Sequence, residues 1–556
     1  MPTRNLVALA LFLNALLLPY IGIAHDGILY AGLVENRIQP GCLGDDLFFR
    51  FGSQDRFTIF SHLLAPLAKL VGVSAAFAIG YALSVAIYTV GMVRLVRALV
   101  PGRVGAFAAL VGATCEANYG GLGVFAVPEG FLTPRLPACG FALLALERAL
   151  AGRWRIASLG FLVAMLLHPL MAIGPACVAI LLALVRNFGA KLAAGAVVLV
   201  VASLAGLLAN EPLAAKLFGT LDPAWKDATR TMTRYNFANE WTATDWLRLA
   251  VAGGVFLLAA RAYRGAMLAC AVAVAVVGVA VFIAAGELPY AFLFQGQAYR
   301  AVWLLAALQL PLACGLAAQS RWFAAVPLLL ASAWATVGLV PGLADLQVLA
   351  ATVRGDGGLR ELAAEFPMWP QLAVRTFGVA ARGLLVVLAL AILPSWRGIV
   401  PMLVALAVAA HAAAALQAEN FGERQRLKDM QFVAEAIRGD DRPTVFWAGD
   451  ANLWDVWHRL PAKCYHHPQQ AAGSIYAPAT AAEAERRTKL TRRFWVRAVP
   501  WAGAVYRPDE PAPTVADFRA LAADPEVTWI VLPLAFEGVP CATNGSVYVY
   551  DARKLR

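Results

Sequence analysis

From Asn5 to Gln417 the chain repeats one pattern: an apolar run of about 20 residues, a short polar connector, then another apolar run. Coiled as an α-helix, a run of about 20 residues reaches across a hydrocarbon core of roughly 30 Å. The pattern predicts thirteen membrane spans, over residues 5–24, 74–97, 103–119, 134–150, 154–170, 171–186, 190–209, 246–262, 265–285, 299–319, 321–342, 372–394 and 397–416. The fifth and sixth meet at His168-Pro169. Gly22-Ile23-Ala24 gives the first run a weak resemblance to a cleavage site, but the run exceeds a signal-peptide core and reads as a retained helix. After Gln417 the pattern changes. RLKDMQFVAEAIRG reads as a helix, Thr444–Gly449, Val527–Leu532 and Val547–Tyr550 as apolar strands, and 482–497 and 515–523 as further helices. Helices alternating with short strands suggest a small α/β unit. The expected fold is mainly α: a polytopic helical membrane bundle over 1–416 and a small C-terminal α/β domain over 417–556. Segments 25–73, 210–245 and 341–371 are too long for simple turns, and long loops in compact proteins usually carry function.

Composition agrees. The chain is 60% apolar and 15% charged, where ordinary globular chains carry about 25% charged residues. A single soluble domain, a disordered chain and a small disulfide scaffold are excluded. The net charge of +11 is unevenly placed. Residues 417–556 hold 18 Lys+Arg and 17 Asp+Glu, so the other 28 basic and 18 acidic residues fall in the first 416. One alternating set of connectors carries Arg4, Arg94, Arg97, Arg103, Arg148, Arg153, Arg155, Arg186, Lys191, Arg261, Arg264, Arg321 and Arg397, with Glu147 as its one acid. That asymmetry places these connectors in the cytoplasm. It predicts a multi-pass protein of the bacterial inner membrane, N-terminus cytoplasmic and C-terminal domain periplasmic or extracellular. The excess charge is thereby accounted for without nucleic acid.

Ionisable groups at a bilayer rim are costly and usually face a cavity or each other. His25, Asp26, Glu35, Asp45, Asp46, Asp55, Arg56, Glu129, Arg135, His168, Glu287, Arg300, Arg375 and Arg382 all fall on the outer side, from distant parts of the sequence. Arg300, in QAYRAVWLLAAL, and Arg382, in FGVAARGLLVVLALAILP, sit just inside spans, where a guanidinium can grip a phosphate with two hydrogen bonds. The competing readings are snorkelling to headgroups or pairing with Glu287 or Glu129. Asp45-Asp46 reads either as a metal or general-base pair, leaving a divalent metal open as a cofactor, or as a hydrated loop dipeptide. His168-Pro169 is a helix break or a base, and Glu129 and Arg135, in VPEGFLTPR, pair across a turn or meet a substrate. Of eight cysteines, Cys464 and Cys541 could bridge in the C-terminal domain. His458, Cys464, His466 and His467 lack a second ligand pair at zinc spacing. No Gly-rich phosphate loop, HExxH or GxSxG stands in the C-terminal domain, so no chemistry is assigned to it.

The first loop adds a likeness. HDGILYAGLVENRIQPG followed by DDLFFRFGSQDRFTIFSHLLAPLAKLVG directly after the first span resembles the opening of GT-C superfamily glycosyltransferases, such as protein O-mannosyltransferases and lipid A aminoarabinose transferases. There an acidic residue just after the first helix precedes an amphipathic stretch and a second short helix. The resemblance covers about the first hundred residues and the general architecture. It implies a many-helix GT-C-like bundle with an external catalytic loop. It puts the family's catalytic Asp on Asp26; Asp55 is the second catalytic candidate in this loop, and the Glu that often follows the family's Asp is Gly27 here. Arg300, Arg382, Arg135, His168 and Glu129 are the expected substrate contacts.

The leading expectation is a membrane glycosyltransferase that moves a sugar from a polyprenyl-phosphate donor in the bilayer to an exported glycan, lipid or protein. A non-catalytic scaffold, sensor or transporter of envelope assembly is the alternative; a transporter should show repeats and paired broken helices near the midplane, whereas the sequence shows no convincing repeat and its ionisable groups crowd one leaflet. A catalytic C-terminal domain merely anchored by thirteen spans is the weakest reading.

Overall fold

The computed structural model describes residues 2–263, 265–319, 328–329, 331–332, 424–441, 443–448, 453–495 and 512–556. The predicted spans 321–342, 372–394 and 397–416, the segment 341–371, and Arg375 and Arg382 lie outside the described residues or nearly so.

Each predicted span up to residue 319 overlaps a helix, but the first helix stops at Leu17 and the third at Thr114, short of the expected 24 and 119. Helix α1 (Thr3–Leu17) leads through a turn into the first loop, built from α2 (Gly27–Ile38), α3 (Leu47–Arg50) and the amphipathic α4 (Phe60–Val71). Then come α5 (Val73–Leu99) and α6 (Gly102–Thr114), a two-stranded antiparallel ribbon of β1 (Ala117–Tyr119) and β2 (Phe125–Val127), and α7 (Arg135–Leu150), α8 (Trp154–Leu167), α9 (Pro169–Phe188) and α10 (Ala190–Ala209). Short helices α11 (Glu211–Phe218) and α12 (Pro223–Met232) occupy the second long loop before α13 (Ala243–Ala262) and α14 (Ala266–Glu287). Helix α15 (Ala291–Gln295) and a 3-10 turn, Ala298–Val302, feed α16 (Trp303–Ala317). Among the described residues six helical stretches are long and apolar enough to cross a membrane: α5, α9, α10, α13, α14 and the continuous stretch Ala291–Ala317. Helices α1, α6 and α8 are apolar but shorter.

Helix α5 is the hub, packed against α1, α4, α6 and α7. Its crossing with α7 is tight because Gly91 and Gly140 face one another: a Cβ at Gly91 would stand 2.7 Å from the Gly140 carbonyl, and one at Gly140 2.7 Å from the Tyr88 nitrogen. Without water to drive apolar association, small residues that let helices approach supply the packing. Helix α10 lies at the periphery, with Leu192, Val198, Leu199 and Val200 exposed on it.

After residue 424 come α17 (Arg424–Ala436), β3 (Thr444–Trp447), β4 (Lys463–Cys464), α18 (Pro478–Thr491), α19 (Val515–Ala522), β5 (Trp529–Leu532), β6 (Ala542–Thr543) and β7 (Tyr548–Asp551). The strands form one sheet in the order β4-β3-β5-β7-β6, parallel across β4-β3-β5 and antiparallel beyond. Alternation explains its unbroken apolar runs. Val445, Trp447, Val531 and Val549 face a core continuous with the bundle, while Phe446, Ile530, Leu532 and Tyr550 face a second core with Phe518 and Phe494. A sheet covered on both faces needs apolar residues at every position. Helix α18 begins at Pro478, ahead of the expected 482, since proline suits a first helical turn.

The sheet is tied to the first loop through Asp46. Its carboxylate is buried and accepts four hydrogen bonds: from the Phe48 amide (3.1 Å) and Gln470 Nε2 (2.8 Å) on Oδ1, and from Trp457 Nε1 (2.9 Å) and the Cys464 amide (2.8 Å) on Oδ2. Burial pushes its carboxyl pKa up, and the four donors pull against that shift. Asp45 is exposed and stands 3.8 Å from Lys463. The pair therefore does not suit a divalent metal: one carboxylate has its lone pairs filled by donors and the other points to solvent. Neither do the nearby histidines converge, since His458 pairs with Glu35 and His466 with Thr488 and Thr491. No metal-holding group of three or more His, Cys, Asp or Glu occurs among the described residues.

Cys464 and Cys541 form no disulfide. They belong to opposite edges of the sheet, Cys464 on β4 and Cys541 next to β6. With strands about 4.8 Å apart, four strand spacings separate those edges, far beyond the reach of an S–S bridge.

Replacing Asp46 by Ala leaves the Trp457 indole and Cys464 amide donors buried without partners, at about 1–3 kcal/mol each, while Gln470 Nε2 keeps the Cys464 carbonyl. Asp46→Ala is expected to loosen the sheet from the first loop, read as a lower Tm and faster proteolysis after residue 424. Unchanged Tm and cleavage would contradict this role.

Candidate functional site

Asp26 ends the turn that follows α1. That turn is pinned on two sides: the Tyr81 hydroxyl donates to the Leu18 carbonyl (3.0 Å), and the Ile21 amide donates to the Gly130 carbonyl (2.9 Å). The second contact ties it to the segment joining β2 to α7, which holds Glu129, Thr133 and Arg135. Arg135 Nη1 donates to Asp26 Oδ2 at 2.6 Å, and its Nε donates to Glu129 Oε1 at 2.9 Å. Thr133 Oγ1 donates to the other Glu129 oxygen at 2.7 Å. The Arg135 and Glu129 side chains are only 4% and 3% exposed. A guanidinium so enclosed requires anionic partners, because an unpaired charge in a low-dielectric interior is very costly. The expected Glu129–Arg135 pairing is present and extends to Asp26, giving two carboxylates to one guanidinium.

The position after Asp26 is Gly27 for a steric reason. A Cβ there would lie 3.0 Å from the Leu132 carbonyl oxygen, on the same segment. The second carboxylate at Arg135 is supplied by Glu129.

The opposite wall carries Arg300. Gln297, with a left-handed φ of 43°, turns the chain from α15 into the 3-10 turn, and its Oε1 accepts from Arg300 Nε at 2.7 Å. The Arg300 guanidinium lies 4.1 Å from the centre of the Phe125 ring, and that of Arg135 lies 5.2 Å from the same ring. Arg300 is 6% exposed and forms no ion pair among the described residues, and its Nη1 has no hydrogen-bond partner there. Snorkelling and pairing with Glu287 or Glu129 are therefore both replaced by an enclosed cation resting on an aromatic face.

These walls enclose a cavity of ≈ 310 Å³ lined by Asp26, Arg135, His168 and Arg300, with Tyr30, Phe125, Tyr235 and Gln297 between them. Its roof, Ala472, Ile475 and Tyr476, comes from the C-terminal segment. His168 caps the start of α9 at the predicted helix break, and its Nδ1 has no partner among the described residues. The cavity adjoins a second, apolar space of ≈ 380 Å³ between α9, α10 and α14, lined by residues such as Cys177, Ala196, Val200 and Val274. Leu170, Ile173, Gly296 and Gln297 line both.

Asp55 is not part of this cavity. Its carboxylate pairs with Arg37 and Ser61, joining the first loop to α2 and α4, while its neighbour Gln54 reaches the cavity instead. The sequence reading also passed over Phe125, Tyr235, Gln297 and Tyr476. The aromatic and amide residues in RYNF and FLFQGQAYR were the available signal; nothing in SIYAP pointed to Tyr476.

Burial would raise the Asp26 carboxyl pKa, but His25 and Arg135 more than reverse this and hold it well below the usual carboxylate range. Asp26 is thus an anion at neutral pH. The cavity combines that acceptor with a cation, Arg300, that retains an unused donor, and it opens onto apolar space. The roof depends on neutral histidines. His467 caps the 3-10 turn Pro468–Ile475, accepting from the Gln469 amide at 3.2 Å, and His466 is buried between Thr488 and Thr491. Burial lowers their pKa values to about 4 and about 3.

No protein-family model matches the sequence, and no curated protein matches it. Among solved structures, the chain is similar to apo ArnT from Cupriavidus metallidurans, with 15% identity and a TM-score of 0.43 over 99% of this chain and 97% of that one. It is also similar to the archaeal oligosaccharyltransferase AglB from Archaeoglobus fulgidus, in a complex with an inhibitory peptide and a dolichol-phosphate, with 13% identity and a TM-score of 0.39 over 95% of this chain and 69% of that one. A second Archaeoglobus fulgidus oligosaccharyltransferase structure, tethered to an acceptor peptide, matches with 14% identity and a TM-score of 0.38 over 95% and 68%. These neighbours are GT-C glycosyltransferases. At such identities and scores the chemistry of the cavity is argued from its own side chains.

Acidification should loosen the roof. An unfolded histidine titrates near ~6.5, above the folded values, so between these limits the unfolded state binds more protons. The stabilisation is complete above about pH 6.5 and falls as pH drops toward 4, by up to ~1.4 kcal/mol per pH unit for each group. Tm measured from pH 7.5 to 5 is expected to decline, and less steeply in His466→Gln. Equal slopes would refute the assignment.

Proposed function

We propose that the protein is a membrane glycosyltransferase-like enzyme that moves a sugar from a polyprenyl-phosphate donor to an exported acceptor. The observation that carries this reading is the junction of the two spaces: an apolar groove between helices runs into a cavity where Arg300 waits beside Asp26. An isoprenoid tail suits the groove and its phosphate suits the Arg300 guanidinium, through charge-assisted hydrogen bonds. In this reading the cavity faces the outside, as the Arg-marked connectors imply, and residues 417–556 are an exported domain that roofs it.

The acceptor hydroxyl hydrogen-bonds to Asp26 and gives its proton to the carboxylate as its oxygen attacks the anomeric carbon. The bond from that carbon to the phosphate oxygen breaks, and the electron pair leaves with the lipid phosphate. Arg300 stabilises the charge that develops there, a contribution that is strongest where water is excluded. Arg135, held by Glu129, fixes the Asp26 carboxylate through Oδ2, and the acceptor hydroxyl meets a remaining lone pair of that carboxylate. The unpartnered Nδ1 of His168 suits a sugar hydroxyl. Arg382 is a further phosphate contact by sequence position. The scaffold alternative fits less well, because a non-catalytic bundle has no need of a groove leading to an enclosed cation.

Three variants test the reading, each verified for insertion and assayed with a polyprenyl-phosphate sugar. Asp26→Asn should lower turnover by ~10²–10⁴-fold, and Arg300→Ala by ~10²–10³-fold. Val200→Trp, which fills the groove, should raise KM for long-chain donors and spare short-chain ones. Full turnover in both Asp26→Asn and Arg300→Ala would end the proposal.

A further inference from the structure

Beyond its proposed base, the cavity carries a residue that the reaction as written leaves unused. We propose that His25 is a positioning residue that sets the orientation and basicity of Asp26, switching transfer off when its imidazole is protonated. This inference rests on the transferase reading.

Three observations converge on it. First, His25 occupies a left-handed backbone conformation, φ 48°. That region is uncommon for residues with a Cβ, although histidine is among those enriched there, and here it directs the side chain next to Asp26. Second, its Nδ1 lies 3.3 Å from Asp26 Oδ1, while Arg135 holds Oδ2. The two oxygens thus have separate partners, which fixes the plane of the carboxylate. Third, the imidazole stands behind Asp26 and does not line the cavity, its ring 5.5 Å from Phe131. A side chain placed there acts on substrate only through Asp26.

The charges facing His25 decide the sign. Asp26 from its own turn and Glu129 from the segment before α7 favour the imidazolium; Arg135, from the start of α7, opposes it. Burial also opposes it, yet the balance raises the pKa above the ordinary histidine value. In both charge states Nδ1 is the nitrogen that faces Oδ1, at 3.3 Å, so orientation is maintained. Protonation at Nε2 adds a positive charge beside the carboxylate and weakens it as a proton acceptor. Turnover therefore rises with pH as His25 loses that proton.

Asparagine is the discriminating replacement. It tolerates left-handed backbone better than other residues with a Cβ, and its side-chain NH₂ can donate where Nδ1–H did, without titrating. His25→Asn should retain turnover at pH 8 and lose the acid limb that wild type shows above pH ~6.5. His25→Ala, which also removes the donor, should lower kcat at every pH. An assay-free measurement accompanies these: in protein labelled at histidine Cε1, the NMR titration of His25 should move to lower pH in Asp26→Asn. Matching acid limbs in wild type and His25→Asn, or a His25 titration unmoved by Asp26→Asn, would overturn the proposal. If wild type transferred no sugar while the His25 titration still moved in Asp26→Asn, the transferase reading would be what fails.

Discussion

The Arg135 guanidinium is the constraint on which the site depends. It is enclosed between the end of the first turn and the start of α7, and among the described residues only Asp26 and Glu129 neutralise it. Breaking a buried pair of this kind costs about 3–5 kcal/mol, because the surviving charge is left stranded. The three groups therefore fix one another. Asp26 cannot swing into solvent without exposing Arg135 to an uncompensated interior, and the carboxylate keeps its place at the cavity wall although the turn that bears it has no regular structure. Since the arrangement holds two anions and one cation, it leaves no positive charge over for a substrate. Arg300, the cavity's other buried guanidinium, rests on Phe125 with an unused donor, and the proposed reaction gives it the substrate's charge.

A second tie, at Asp46, joins the walls to the roof. Three of its four hydrogen bonds bind the first loop to Trp457, Cys464 and Gln470, and the 3-10 turn that contains Gln470 leads directly to Ile475 and Tyr476 over the cavity. The Trp225 indole donates to the Ser474 carbonyl at 2.7 Å and fastens the same turn to α12. The cavity is thus assembled from seven separate stretches of chain, and buried polar contacts tie the first loop and α12 to its roof. This is the arrangement expected of a site that has to keep its geometry at the edge of a fluid medium.

How much of this could be read in the sequence follows from the physics of each feature. Apolar runs were legible because each span has to satisfy the bilayer by itself; each predicted span up to residue 319 overlaps a helix, and six helical stretches among the described residues are long and apolar enough to cross a membrane. The strands at 444–447, 529–532 and 548–551 were legible because both faces are buried, while the two-residue strands β4 and β6 carry too little pattern to notice. Asp26, Arg135, His168 and Arg300 could be named as costly ionisable groups sharing one leaflet. Asp46 was misjudged as a metal candidate because its partners lie more than 400 residues away, and sequence spacing carries no information about such contacts. Asp55 differs: Arg37 and Ser61, which claim it, lie only 18 and 6 residues away, within the same loop.

The central claim is that groove and cavity form one binding site for a lipid phosphate. A cryo-EM structure of the full chain in lipid nanodiscs with a polyprenyl monophosphate tests it most directly. The account predicts tail density between α9, α10 and α14, with the phosphate within hydrogen-bonding distance of Arg300 Nη1 and on the same side of Phe125 as Asp26. Lipid density confined to the outer surface of the bundle, with the Arg300 guanidinium still facing an empty cavity at saturating ligand, would contradict it.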